Sequence, residues 1–159
     1  MRGKVKSRRR SGCPVSLSLE ILGDRWSLRV IRDLMVRGFR TFKEFELSDE
    51  GIATNILSDR LRRLETNGII IAETEKTDRR RGSYRLTEKG IDLAPVLLDL
   101  LIWGARHEES LAPPALMVQM EKNREGVIAE ARKRWRERDS TPLIPSFADD
   151  GAGRSSKRR

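Results

Sequence analysis

The sequence is short of the residues that most chemistry needs. In 159 residues it has one cysteine, Cys13, and one histidine, His107. A lone cysteine excludes an intrachain disulfide framework and makes a cytoplasmic setting the expectation. No Cys/His cluster has zinc spacing, so no metal site is expected. There is no GxxxxGK[ST] phosphate loop, no GxGxxG after a strand and no nucleophile elbow. We therefore expect neither a cofactor nor an enzyme, and His107, near a helix end, reads as a solvated or helix-terminal charge. Aromatics make up 5% against 36% charged residues, a balance that suits a small, mostly helical protein better than a β-sandwich. Long apolar runs are missing too. "LAPVLLDLLIWGA" is broken by Asp99 and is too short to span a bilayer. After the basic start, Glu20 interrupts the chain before a secretory h-region can form. Neither a membrane partner nor a leader is expected.

Positive charge is in excess, with a formal net charge of +9. Ten of the 33 Lys and Arg lie in residues 1–10 and 154–159, which hold no acid, leaving 23 against all 24 acidic residues. The ends carry the whole excess, so an anionic partner has to be argued from the local placement of charge in between.

That middle part has a regular order of elements. Residues 1–12 and 139–159 read as disordered tails, 13–110 as one domain and 111–138 as a helical extension. Pro14 suits the first position of a helix whose inner face would be Val15, Leu19 and Leu22. Asp24 is an N-cap for a second helix burying Trp26, Val30, Ile31, Leu34 and Met35, with Gly38 as its stop. "TFKE" (41–44) has the form of a capping box opening a short third helix. A fourth helix, 53–66, ends at Asn67-Gly68. "IIIAETEK", a polar turn "TDRRRG" and "SYRLT" then predict a β-hairpin. Thr87 opens a helix over 88–109, kinked at Pro95. A last helical pattern over 115–138 has Leu116, Met120, Val127, Ile128, Ala131 and Trp135 for an inner face.

The fourth helix asks for an explanation. Leu57, Leu61 and Leu64 recur at the spacing of a helix packed on a core. Its other face carries Asn55, Ser58, Asp59 and Arg62, short hydrogen-bonding groups beside an arginine, with Thr54 and Arg63 flanking them. Three short helices, this helix, a hairpin and a long helix form the layout of a winged helix-turn-helix, an α+β, mostly helical fold with added C-terminal helices for dimerisation. In that layout the fourth helix enters the major groove of double-stranded DNA. The wing, 76–85, holds Lys76, Arg79, Arg80, Arg81 and Arg85 against Asp78 alone, as contact with phosphates or the minor groove needs. A solvated helix face and a solvated charge run would account for each feature separately. Their adjacency favours the joint reading.

The stretches "CPVSLSLEILGDRWSLRVIRDL", "GFRTFKEF", "GIATNILSDRLRRLETNGII", "YRLTEKG" and "LAPVLLDLLIWG", in this order over residues 13–104, resemble the HxlR family of bacterial transcriptional regulators. The basic tip is also similar to that of the related MarR regulators. The resemblance implies a dimeric regulator that binds an operator. Some family members use a cysteine at the place of Cys13 to sense oxidants or electrophiles. The residues allow either that role, favoured by the helix dipole and nearby cations, or a small hydrophobe. A homodimer is also expected from the helix at 88–109, with Leu97, Leu98, Leu101, Ile102 and Trp103 available to an interface and Trp135 adding to it. An adaptor that keeps the winged shape and binds only protein partners is the alternative, and the arginine-rich wing separates the two.

Overall fold

The computed structural model describes residues 12–74, 82–144 and 147. Helix α1 (Pro14–Leu22) has proline in its first turn, as expected. Its expected inner face differs. Val15 and Leu19 are 66% and 59% exposed, and only the C-terminal Ile21 and Leu22 pack against the core. The apolar side of α1 thus looks largely outward.

The Asp24 carboxylate accepts hydrogen bonds from the backbone N–H groups of Trp26 and Ser27, at 2.8 and 2.9 Å, and so caps the turn that opens α2 (Ser27–Arg32). α2 widens into a π-helical turn over Asp33–Arg37 before Gly38 ends it. Gly38 has a φ of 75°, and a Cβ there would overlap the carbonyl oxygen of Ser140. Glycine is therefore required both by the backbone conformation and by the close approach of the Ser140 backbone. The capping box forms at α3 (Phe42–Glu46). Glu44 N–H donates to the Thr41 hydroxyl oxygen at 3.3 Å, and Thr41 N–H donates to the Glu44 carboxylate at 2.7 Å.

α4 (Thr54–Thr66) follows. Leu57, Leu61 and Leu64 are 0–2% exposed. Burying one such side chain stabilises by about 1.5–3 kcal/mol. Strands β1 (Ile70–Thr74) and β2 (Gly82–Leu86) pair antiparallel, from Ile70 opposite Leu86 to Thr74 opposite Gly82. Arg40 and Thr41 run along the other edge of β2, since Thr41 bridges Ser83 and the Tyr84 N–H donates to the Arg40 carbonyl at 2.7 Å. The hairpin is thereby fastened to the chain that opens α3.

The expected single helix over 88–109 is two helices, α5 (Glu88–Ile91) and α6 (Ala94–His107). Pro95 has no N–H for the carbonyl of Ile91, so the ladder stops and restarts with proline in the first turn of α6. Thr87 caps α5, accepting from the Gly90 N–H at 3.1 Å. The pattern over 115–138 is also divided, into α7 (Pro114–Lys122) and α8 (Arg124–Glu137). Asn123 makes the break, and its side chain lies where a Cβ on Gly126 would be.

Two clusters hold these elements. The first joins α2, α3, α4 and the hairpin around Ile31, Phe45, Leu57 and Ile70. The second joins α6, α7 and α8 around Leu98, Met120, Ile128 and Ala131. The chain after 138, expected to lack a core, contributes to it. Leu143 N–H donates to the Val36 carbonyl at 2.7 Å, and Ile144 is 8% exposed.

Candidate nucleic-acid interface

The position of α4 is set by charge as well as by its leucines. Arg60 lies 3.2 Å from the Asp24 carboxylate and 3.3 Å from that of Asp59. The acid that caps α2 is thus also an anchor for α4. Burial alone would raise the Asp24 carboxyl. Hydrogen bonds from Ser27 and Trp26 and the Arg60 charge outweigh it and hold the group below the ordinary carboxylate range. The loop entering α4 is fixed in the same manner. Glu50 pairs with Arg29 and Arg32 at 3.0 and 2.9 Å, and Asp49 pairs with Arg37 at 3.1 Å. Asp33, 4% exposed, sits beside Arg32 at 2.9 Å. Burial pushes its carboxyl up despite the opposing pull of Arg32 and Arg37.

With its leucines inward, α4 leaves Thr54, Asn55, Ser58 and Arg62 exposed. Asp59 is half-buried against Arg60. Arg63 is exposed but turned toward α1, its guanidinium 3.4 Å from the Glu20 carbonyl. Four of the six residues expected on the reading face thus share open surface, and the other two are turned toward protein.

Lys76, Arg79, Arg80 and Arg81 lie outside the described residues. Arg85, expected in the same DNA-contacting set, is instead half-buried and held by α8. Its guanidinium stacks 5.0 Å from the Trp135 ring centroid and donates to the Trp135 carbonyl at 3.0 Å. Trp135 Nε1 in turn donates to the Leu86 carbonyl at 2.8 Å. Arg138 makes two bonds, 3.0 and 3.1 Å, to the Glu73 carboxylate. The end of α8 therefore holds both strands of the hairpin. Sequence reasoning missed this brace because its partners are about 50 or more residues apart. The only signal was an indole N–H on a helix face, which requires an acceptor when buried.

The expected interface residues divide likewise. Leu98 is 5% exposed inside the second cluster, and Trp135 is packed against the first, so both are used within the chain. Leu97, Leu101 and Ile102 are half-buried within the same chain. Trp103 is 57% exposed, and Val96 and Leu100 of α6 are 43% and 47% exposed. Cys13 is exposed at the start of α1, where the backbone N–H groups of Ser16 and Val15 hold its thiol below its ordinary pKa. Among the described residues, no group of three or more His, Cys, Asp or Glu could hold a metal ion, and no helix is long and apolar enough to cross a membrane.

A short helix and a longer one joined by a fixed loop, followed by a β-hairpin packed beside them, define a winged helix-turn-helix. The matches to known proteins agree. Residues 21–111 match the profile of the HxlR-like helix-turn-helix family, and the chain belongs to that family. It is 34% identical over 100 residues to the uncharacterized HTH-type transcriptional regulator YdeP of Bacillus subtilis, covering 63% of this chain and 77% of that one. Among solved structures it is similar to the redox regulator HypR in its oxidized form (31% identity, TM-score 0.56, 61% of this chain and 99% of that one). It is also similar to the reduced form of the transcriptional regulator YodB from B. subtilis (31% identity, TM-score 0.51, 61% and 95%). The protein is a transcriptional regulator of this winged-helix type. Helices α7 and α8 lie beyond the family match.

Proposed function

We propose that the protein is a homodimer that binds an operator in double-stranded DNA, reading bases with α4 and touching the backbone or minor groove with the wing. One observation carries the reading. Three leucines of α4 are fully buried while Thr54, Asn55, Ser58 and Arg62 stand exposed on the side away from them. A rigidly seated helix with short hydrogen-bonding groups and one arginine outward suits a major groove, where Asn pairs well with adenine and Arg with guanine. Lys76, Arg79, Arg80 and Arg81 would supply the sequence-independent phosphate term. Dimerisation draws support from outward apolar side chains on two helices, Val15 and Leu19 of α1 with Trp103 of α6. The test is affinity of the full chain for DNA selected from a random pool and for scrambled DNA, across several salt concentrations. Arg62→Ala is expected to cost about 1–3 kcal/mol on the selected site and to relax one base position. Arg80→Ala is expected to weaken both DNAs alike and to flatten the salt slope by about one unit for each phosphate no longer neutralised in each half-site. Unchanged affinities in Arg62→Ala would reduce its face to solvated surface and favour the adaptor reading.

Cys13 is the proposed sensor of this regulator. Its thiolate attacks a peroxide oxygen, giving a sulfenic acid as the O–O bond breaks. A second thiol then displaces water to form a disulfide. With one cysteine per chain, that second thiol belongs to the partner subunit or to a small molecule. Support comes from the exposed thiol held toward its ionised form and from HypR, a redox regulator by name. Peroxide is expected to change operator affinity in the wild type and to leave Cys13→Ser unaffected. Equal sensitivity of the two proteins would return Cys13 to a structural role.

A further inference from the structure

The hairpin is fastened at its base to three neighbours. Toward α4, the Ala72 N–H donates to the Glu65 carboxylate at 3.3 Å. Toward the start of α3, Thr41 bridges Ser83. The third neighbour is α8, through Trp135 to the Leu86 carbonyl, Arg85 to the Trp135 ring and carbonyl, and Arg138 to Glu73. A cavity of about 200 Å³ lies at this last junction, among Arg40, Glu73, Arg85, Trp135 and Arg138. The strands thus meet α8 through a few directed bonds rather than through a filled apolar seam. Of the three neighbours only α8 lies beyond residues 21–111, the part of the chain that matches the family.

Two arginines are used at this junction rather than left to solvent. Arg138 closes α8 in the left-handed conformation, with a φ of 57°. The glycine usual at such a helix end has no side chain, whereas Arg138 reaches the Glu73 carboxylate with two bonds. Arg85 lies on a wing strand, yet its guanidinium is directed at Trp135. These bonds act at the base of a lever. With a rise of about 3.4 Å per residue, Gly82 stands about 14 Å from Leu86, and a tilt of about 10° at the base would move it by about 2 Å. A shift of that size is beyond what a hydrogen bond to a phosphate tolerates.

We infer that α8 belongs to the DNA-binding apparatus of this protein, with Trp135 and Arg85 as positioning residues that set the angle of the wing against α4 and do not themselves touch DNA. The inference rests on the reading in which the wing neutralises phosphates. It adds a requirement to that reading, since the C-terminal extension has to be in place for the wing to reach them.

The test measures affinity of the full chain for DNA selected from a random pool and for scrambled DNA across several salt concentrations, with Arg80→Ala as the reference for a lost wing contact. Trp135→Leu removes the indole donor and the ring beside Arg85. It is expected to weaken both DNAs alike, by about fivefold or more, and to flatten the salt slope toward that of Arg80→Ala. The preference for the selected site, which belongs to α4, is expected to stay. Should that variant not fold, Trp135→Phe removes the donor alone and is expected to act in the same direction. Arg85→Gln is expected to behave as the Trp135 variant does. The double variant is expected to bind no more than about twofold worse than the weaker single one, because both act through one brace. Three results would overturn the inference. The first is an unchanged salt slope in the folded Trp135 variants, whatever their affinity, since loss of folded protein lowers affinity without altering the slope. The second is a changed preference for the selected site, which would place the effect in α4. The third is losses that multiply in the double variant, which would make Arg85 a DNA contact in its own right. If Arg80→Ala flattens the slope and Trp135→Leu does not, this inference falls alone. If Arg80→Ala leaves the slope as it was, the wing touches no phosphate and both readings fall together.

Discussion

Asp24 shows how much depends on one side chain. It accepts two backbone N–H bonds at the start of α2, and Arg60 of α4 lies 3.2 Å away. Its pKa is held low in the folded protein. The stabilisation is therefore complete above the ordinary carboxylate range and is lost as pH falls through the folded value. Asp24→Ala is expected to cost about 0.5–2 kcal/mol at pH 7, the usual worth of an N-cap. In urea unfolding the gap between variant and wild type should narrow as pH falls below the ordinary carboxylate range and the wild-type carboxylate takes up its proton. Asp33 works in the opposite direction, because burial raises its carboxyl, so the narrowing belongs to Asp24 and should be absent in Asp33→Asn. Local chemistry of this kind was legible in the sequence. The Asp24 cap, the Thr41–Glu44 capping box and the Gly38 stop each depend on partners a few residues away. Val15 and Leu19 were not legible, because a helical period gives an apolar side but not what that side faces.

At the scale of the element, α8 acts as a brace for the hairpin. A two-stranded hairpin alone is marginal in water. Here β2 is held on one edge by Arg40 and Thr41, and both strands are held by Trp135 and Arg138. Trp135→Phe keeps most of the packing but leaves the Leu86 carbonyl without its indole donor. The expected cost is about 1 kcal/mol. Amide hydrogen exchange should speed up in 70–74 and 82–86 while α4 keeps its protection, and equal loosening of both would mean that Trp135 supports the whole core rather than the wing. Arg138→Ala should do little, since an exposed ion pair is worth about 0–1 kcal/mol. The order of elements through the hairpin could be read from the sequence because each has its own period and stop. The brace could not, and the same holds for the breaks at 92–93 and Asn123. Periodicity reports that a segment is helical, whereas the point where it divides depends on one missing N–H or one side chain folded over a glycine.

At the scale of the molecule, the unused apolar surface points to what is missing from a single chain. Val15 and Leu19 on α1 and Val96, Leu100 and Trp103 on α6 are 43–66% exposed, and all are large. Burying a fully exposed side chain of this kind stabilises by about 1.5–3 kcal/mol, and these would gain roughly half of that, from which the cost of association must be subtracted. We propose that together they form the seam of the dimer. A two-fold axis would then set the two α4 helices about 34 Å apart, one turn of DNA. Trp103 is the most telling position, because it is exposed, aromatic and on α6. Trp103→Glu should convert the protein to a monomer by sedimentation at micromolar concentration, with helicity unchanged. Affinity for a palindromic site should fall at least a hundredfold, while affinity for an isolated half-site should hardly change. A Trp103→Glu protein that still sedimented as a dimer would move the interface away from α6. One that became a monomer yet kept its full affinity for the palindrome would show that α4 and the wing of one chain are sufficient, and the paired arrangement would have to be abandoned.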